Sequence, residues 1–218
     1  MPRRKRWQLP DPPAPPETER RALEVVSDVA HAVARADDPA EAFQFALDRV
    51  SPAVGANLAA VFILEGVSEL MHVAAAHAWP ERWRPWLGEM RVRLGFGPSG
   101  EAASERRMIE VPDVFADPDL EDWQEVANEI GFRALVAVPL EAGGTVIGAA
   151  TFYFALPGGQ TAGEKALLRT VADLMALIAE RHALRTQLRR VEAALEDERP
   201  GQGVRLLDEA GDSAAPLE

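Results

Sequence analysis

Residues 131–140, GFRALVAVPL, and residues 145–154, TVIGAATFYF, decide the fold of this 218-residue chain. Both runs are rich in apolar and β-branched residues, and the turn between them contains Gly143 and Gly144. Apolar runs of this length on either side of a glycine-containing turn predict a β-hairpin. Because both runs are apolar almost throughout, we expect other parts of the chain to cover both faces of the hairpin.

A long helix is predicted soon after the hairpin. Thr161 and Glu164 have the spacing of a capping box, in which the two residues satisfy each other's free backbone N–H groups at the start of a helix. In their amino-acid sequence and their order, GFRALVAVPL, VIGAATFYF and the capped helix resemble the C-terminal half of a GAF domain, a small-molecule sensor module. The resemblance implies an α+β fold of the GAF/PAS-like kind, with a central antiparallel sheet of five or six strands. It also implies that the N- and C-terminal helices pack on one face of the sheet and short pocket helices on the other.

The preceding sequence predicts the remaining elements of such a domain. A first helix is expected from Thr18, and a second one, capped by Asp38, is expected to end at Ser51-Pro52. The helical spacing gives the first helix an apolar stripe of Leu23, Val26, Val29 or Ala30, and Val33. Strands are predicted at 59–64, 71–77, 90–94 and 107–111, and a further helix at 120–130.

Composition divides the chain into four parts. Residues 1–17 are rich in proline and arginine, and we expect them to form a disordered arm. Residues 18–182 are expected to form the GAF domain. Residues 163–198 are expected to form a long C-terminal helix that becomes a coiled coil beyond about residue 174. Residues 199–218 are acidic and rich in small side chains, and they are expected to be a disordered tail.

The composition also excludes several kinds of chemistry. The chain contains no cysteine, which excludes disulfides, thiolate metal sites and thiol nucleophiles. By resemblance, it also excludes two chemistries that GAF relatives perform with cysteine, the reduction of methionine sulfoxide and the covalent attachment of a bilin. The net charge of −12 argues against nucleic acid as a partner, and no apolar run reaches the length of a membrane span. We therefore expect a cytoplasmic protein that binds neither nucleic acid nor membrane.

Tryptophans are concentrated where a GAF domain has its ligand cavity. One tryptophan-rich segment, residues 79–86, follows the second predicted strand, and Trp123 lies on the predicted helix 120–130. By resemblance, these two segments and the loop 95–100 form the cavity wall, where indole rings suit a flat heteroaromatic or apolar ligand. Ordinary packing of large aromatic residues is the alternative. The candidate pocket residues are His77, Trp79, Trp83, Trp86, Phe96, Trp123, Val126 and Arg133.

His77 and Arg133 are the polar members of this set. By its spacing, His77 shares a strand face with Trp79; we expect a hydrogen-bonding role for it rather than haem ligation. Arg133 opens the central strand, where it either pairs with an anionic ligand at the cavity mouth or remains a solvated arginine. Residues 95–100, GFGPSG, match a dinucleotide-binding pattern, but the helix that follows is too short for that fold. A structural turn is therefore expected there.

A second apolar stripe is predicted along the C-terminal helix. Its residues are spaced alternately by three and four, as in the seam of a coiled coil, although Arg181 also occupies a seam position. A parallel homodimer is favoured, because a seam that continues beyond the domain core needs a partner to bury it. A single helix that packs on its own domain is the alternative. The predicted dimer seam consists of Leu174, Leu177, Leu184, Leu188, Val191 and Leu195.

The sequence therefore predicts a regulatory module. We expect a non-enzymatic GAF sensor in signal transduction that binds an unidentified small molecule and signals through a dimeric C-terminal helix. No catalytic residue, metal site or cofactor is expected, since no known nucleophile, metal or phosphate motif is present. The alternative is a ligand-free GAF adaptor that dimerises and binds a kinase or a transcriptional regulator.

Overall fold

A computed structural model describes residues 16–66 and 68–197 of the chain. The predicted tail 199–218, and all but the last two residues of the predicted arm 1–17, lie outside the described residues. The chain divides into two compact units between His182 and Ala183. The first unit contains one sheet. The described residues of the second unit are the C-terminal part of a helix that begins at Ala162.

The sheet has six antiparallel strands in the order β3-β2-β1-β6-β5-β4, which confirms the predicted fold class. Every strand pair is antiparallel, and β6 and β1 occupy the centre of the sheet. The strands are β1 (Leu58–Leu64), β2 (Leu70–His77), β3 (Arg91–Arg93), β4 (Ile109–Val111), β5 (Ala134–Ala142) and β6 (Thr145–Phe154). The predicted hairpin is therefore the pair β5–β6, turning at Gly143 and Gly144, which both have positive φ.

Six α-helices are present among the described residues. They are α1 (Glu17–Arg35), α2 (Pro39–Val54), α3 (Arg84–Glu89), α4 (Gly97–Glu105), α5 (Glu121–Ile130) and α6 (Ala162–Asp197). Asp38 caps α2 by accepting a hydrogen bond from the backbone of Ala40, 3.0 Å away. The capping box of α6 is also formed, since Glu164 accepts from the backbone N–H of Thr161 at 2.8 Å.

The two faces of the sheet bury different layers. Val136 and Phe152 point into a core shared with α1, α2 and the first part of α6. Their neighbours Leu135 and Tyr153 point the other way, into a core with residues of α3 and α5. This alternation follows from the period of two along a β-strand. The central strands are consequently apolar on both faces.

Two details of the helices differ from the sequence predictions. Leu23 is 64% exposed, and α1 buries Val25, Val29 and Val33, so that only Val29 and Val33 of the expected stripe are buried. The helix α2 does not end at Ser51-Pro52 but continues through Pro52 to Val54. Gly55, in a left-handed conformation, provides its end.

The central strands approach each other closely at Gly148. A Cβ atom on Gly148 would lie 1.9 Å from the carbonyl oxygen of Phe62 on β1. Backbone atoms of a paired strand cannot move away without loss of the ladder. The position therefore requires glycine for steric reasons.

We predict that Gly148→Ala lowers the free energy of unfolding by at least about 3 kcal/mol, because the added methyl group separates β6 from β1. The matched control is Gly163→Ala in the first turn of α6, where an added Cβ would meet nothing within 4 Å. The control should change the free energy of unfolding by less than about 1 kcal/mol, in the stabilising direction. Urea unfolding followed by circular dichroism measures both; equal effects would contradict the steric argument.

Candidate functional site

A small cavity lies between the sheet and the layer of short helices. Its volume is about 40 Å³, enough for one or a few water molecules in the conformation described. The residues that line it come from β1, β3, β5, β6, α4, α5 and the loops beside them. They are Phe62, Met90, Val92, Phe96, Gly97, Pro98, Ser99, Val114, Leu120, Trp123, Phe132, Leu135 and Tyr153.

The start of α4 is attached to the sheet at one side of this cavity. The Ser99 and Thr151 hydroxyl groups are hydrogen-bonded at 2.7 Å, and both residues are buried. A Cβ atom on Gly100 would lie 2.1 Å from the carbonyl oxygen of Arg93, so glycine is required where α4 contacts β3. The GFGPSG motif is thus a tight strand-to-helix turn, as expected, closed by the hydrogen bond from Gly95 N to Gly100 O at 2.9 Å.

Tyr153 is the unusual residue of the cavity wall. It is only 6% exposed, and its ring is held between Trp79, at 5.6 Å, and Phe132, at 4.9 Å. Among the described residues no group forms a hydrogen bond with its hydroxyl. Burial raises the pKa of Tyr153, so the hydroxyl is a neutral donor and acceptor at every pH near neutrality. The hydroxyl oxygen is not fully enclosed, because it borders the cavity, where a small polar group can reach it.

The predicted tryptophans form a chain of ring contacts beside the cavity. Trp86 contacts Trp79 at 6.5 Å, Trp83 at 5.4 Å and Trp123 at 6.3 Å between ring centroids. Trp79 also donates a hydrogen bond from Nε1 to the backbone oxygen of Ala59 at 3.0 Å. Of the eight predicted pocket residues, Phe96 and Trp123 line the cavity. The other three tryptophans pack behind the wall, and Val126 is half-buried outside the lining.

The structure contradicts the predicted position of His77. Its Nδ1 atom lies 2.6 Å from the carboxylate of Asp48 on α2, on the face of the sheet opposite the cavity. The spacing of two from Trp79 was misleading because β2 ends at His77 and Ala78 adopts a left-handed conformation, with φ of 56°. That residue reverses the alternation, so the two side chains point to opposite faces.

Arg133 is already paired within the protein. Its Nη2 and Nε atoms lie 2.6 and 3.3 Å from the two carboxylate oxygens of Asp113, and its guanidinium group stacks on Phe115 at 4.9 Å. The hydrogen bond from Arg133 is the main reason that the pKa of Asp113 lies below its ordinary value. Arg133 is therefore paired with Asp113 rather than only solvated, and its predicted contact with an anionic ligand stays a prediction.

Sequence reasoning missed most of the lining residues, Tyr153 and Phe132 among them. One signal could have identified Tyr153, since it is the only tyrosine of the chain and lies within an apolar strand. Among the described residues, no group of three His, Asp or Glu side chains is arranged to hold a metal ion. In the same part of the chain, no helix is both long enough and apolar enough to cross a membrane.

A six-stranded antiparallel sheet with terminal helices on one face and a cavity under short helices on the other defines an α+β domain of the GAF/PAS architecture. The GAF domain family model matches residues 36–180, well over half of the chain. The protein belongs to the GAF domain family.

Known proteins share this fold at low sequence identity. The GAF domain of a phosphoenolpyruvate-protein phosphotransferase from Coxiella burnetii has a TM-score of 0.67 and 17% identity, covering 79% of this chain and 99% of that one. A free methionine-R-sulfoxide reductase from Neisseria meningitidis, solved with its substrate, has a TM-score of 0.62 and 19% identity, covering 79% and 95%. The methyl sulfide methyltransferase-associated sensor of Methanosarcina acetivorans is 25% identical over 124 residues, which is 56% of this chain. The match spans only 12% of that sensor's length.

The comparison overturns the expectation that this protein is not an enzyme. The Neisseria reductase shares the fold over nearly its whole length, so a GAF domain is compatible with catalysis. The absence of cysteine excludes only catalysis by a thiol, and it does not exclude catalysis by other groups.

We predict that Tyr153→Phe changes the free energy of unfolding by less than about 1 kcal/mol, because the hydroxyl that it removes faces the cavity and has no protein partner. The matched control on the same strand is Thr151→Val, which removes a buried hydroxyl that is paired with Ser99. This change should lower the free energy of unfolding by about 1–3 kcal/mol. Urea unfolding measures the free energy of unfolding of both variants. An equal decrease in the two variants would mean that the Tyr153 hydroxyl has a hydrogen-bond partner in the fold.

We predict that Asp113 makes the fold less stable in acid. A carboxyl group whose pKa is lower in the folded chain stabilises the fold above its unfolded pKa, and this stabilisation is lost as the pH falls through its folded pKa. Arg133→Gln should therefore raise the pKa of Asp113 toward its ordinary value and weaken the acid dependence of unfolding. NMR titration of the Asp113 carboxyl carbon measures the shift, and an unchanged titration curve would refute the pairing.

Proposed function

We propose that this protein is a regulatory GAF module in signal transduction that binds a small molecule in the cavity and signals through α6. The observation that favours binding is the cavity itself, which is apolar around the Tyr153 hydroxyl, a group with no hydrogen-bond partner among the described residues. Polar groups left unpaired beside an apolar cavity are typical of ligand sites. The name of the Methanosarcina relative, a sensor, supports the same class of function.

The direct connection between β6 and α6 can transmit the effect of ligand binding from the cavity to α6. Tyr153 lies at the end of β6, and the loop 155–161 leads directly from that strand to the capped start of α6. A ligand that contacts Tyr153 can shift α6 only if it binds one arrangement of the helix more tightly than another. The proposed mechanism is therefore a population shift between two arrangements of α6.

The proposal includes a homodimer formed through α6. Leu174 packs against the core and Arg181 donates hydrogen bonds to the backbone oxygens of Val33 and Ala36, both at 2.7 Å. These two residues are therefore not available to a seam. The remaining seam residues are each between 50% and 60% exposed, and they are Leu177, Leu184, Leu188, Val191 and Leu195. A second copy of α6 would bury this stripe by coiled-coil packing.

Ligand binding is tested by purifying the full chain from cells and identifying co-purified small molecules by mass spectrometry. The control is Val92→Phe, since Val92 lines the cavity on the edge strand β3 and a larger side chain there fills the space. We expect a molecule that accompanies the wild-type protein and not the variant. The absence of any such molecule, together with no thermal shift for the wild type in a metabolite panel, would refute the sensor.

Dimerisation is tested by light scattering on Leu188→Glu, compared with Gln187→Glu at the neighbouring exposed position. Both substitutions add one negative charge, but only the first lies on the apolar stripe. We expect a dimer for the wild type and for the Gln187 variant, and at least a tenfold weaker dimer for the Leu188 variant. Equal behaviour of the two variants would exclude the stripe as the interface.

The alternative proposal is a ligand-free adaptor that dimerises and binds a kinase or a transcriptional regulator. The small volume of the cavity, about 40 Å³, and the packed tryptophan chain favour it. The mass-spectrometry experiment distinguishes the two functions. In both proposals the protein acts in the cytoplasm.

A further inference from the structure

We propose that the ligand of the cavity is a small, uncharged aromatic compound with one hydroxyl or N–H group, which forms a hydrogen bond with Tyr153. This inference rests on the proposed function and specifies its ligand. Three properties of the cavity support it: the charge of its lining, its polar groups and its mouth.

The lining excludes a charged ligand. It contains no acidic, basic or histidine side chain. The arginines nearest the rim are already paired, Arg133 with Asp113 and Arg93 with Glu69, at 2.6 and 3.1 Å. An ionised ligand would lose its hydration without gaining a counter-charge, and this desolvation opposes binding.

The polar groups of the lining require one hydrogen bond from the ligand. The Ser99 hydroxyl already forms a hydrogen bond with the Thr151 hydroxyl, at 2.7 Å. Of the buried polar side chains of the wall, Tyr153 alone has a free hydrogen-bonding group. A neutral tyrosine hydroxyl both donates and accepts, so a phenol-type O–H or an indole-type N–H is a suitable partner.

The other walls suit a flat ring. Phe62, Phe132 and Trp123 line the cavity, and Leu135 pairs directly with Tyr153 across the strands. Aromatic side chains favour offset-stacked or edge-to-face contacts with a bound ring.

The mouth is built from side chains that can move without disturbing the core. A ring does not fit within 40 Å³, so binding requires the mouth to open. Phe96 is 62% exposed and held only under the guanidinium group of Arg93, at 5.1 Å, while Trp123 is 37% exposed and contacts Trp86. Outward rotation of these two rings enlarges the cavity and leaves the sheet intact.

The experiment compares three probes of similar shape, p-cresol, toluene and benzoate, by NMR titration of the full chain. Toluene lacks the hydroxyl of p-cresol, and benzoate replaces it by a carboxylate. We expect the wild type to bind p-cresol about fivefold more tightly than toluene, the ratio that one net hydrogen bond provides. Benzoate should bind more weakly than either.

Tyr153→Phe is the decisive variant, because it preserves the ring and removes only the hydroxyl. We expect it to bind p-cresol and toluene equally, and Val92→Phe to bind neither. Three results would overturn the inference: equal binding of p-cresol and toluene by the wild type, an unchanged preference in Tyr153→Phe, or preferred binding of benzoate. The last would indicate an anion at the N-terminus of α4. If none of the probes binds while a co-purified molecule is found, this inference fails and the proposed function stands.

Discussion

The burial of β6 on both faces is the constraint on which the other layers depend. Phe152 points into the core made with α1, α2 and the first part of α6, and Tyr153 points into the core on the other face. Gly148, on the same strand, permits the close approach of β1. Because β6 is central, each face must be covered by a separate layer of helices. The helices α1, α2 and α6, from before and after the strands, cover one face, and the short helices between β2 and β5 cover the other. A strand buried in this way connects the two layers, so a change at Tyr153 acts on the element that leads into α6.

The cavity combines tight packing with a tyrosine hydroxyl that has no hydrogen-bond partner among the described residues. Ser99 and Thr151 pair with each other, and the tryptophan chain fills the space behind the wall. Of the two hydroxyl groups in the lining, only that of Tyr153 has no hydrogen-bond partner among the described residues, and it faces the cavity. Proteins tolerate such local cost mainly at functional sites, where a ligand supplies the missing contact. A cavity of small volume with a free polar group can thus still bind a ligand if the side chains of Phe96 and Trp123, at its mouth, are the mobile part of the site.

Regular features of the domain were predictable, and the site residues were mostly not. The hairpin, the capping box at Thr161 and the alternation of the strands depend on neighbours in sequence, and the structure contains all of them. His77 was misassigned because one left-handed residue, Ala78, reverses the alternation. The partners of Arg133 and Arg181 were not predictable for another reason, since they are distant in sequence. Periodicity says which face a residue occupies while the strand or helix is regular, and it says nothing about which distant group a long side chain reaches.

The sequence by itself determined the family, the central hairpin and the exclusion of thiol chemistry. These follow from local patterns and from composition, which do not require knowledge of the tertiary contacts. Only the tertiary structure decided which residues surround the cavity and that His77 lies on the opposite face. It also showed that the Tyr153 hydroxyl faces the cavity and has no partner among the described residues. The physical reason is that burial and hydrogen-bond satisfaction are properties of segments brought together from far apart in the chain. No pattern within one strand or helix records what packs against it.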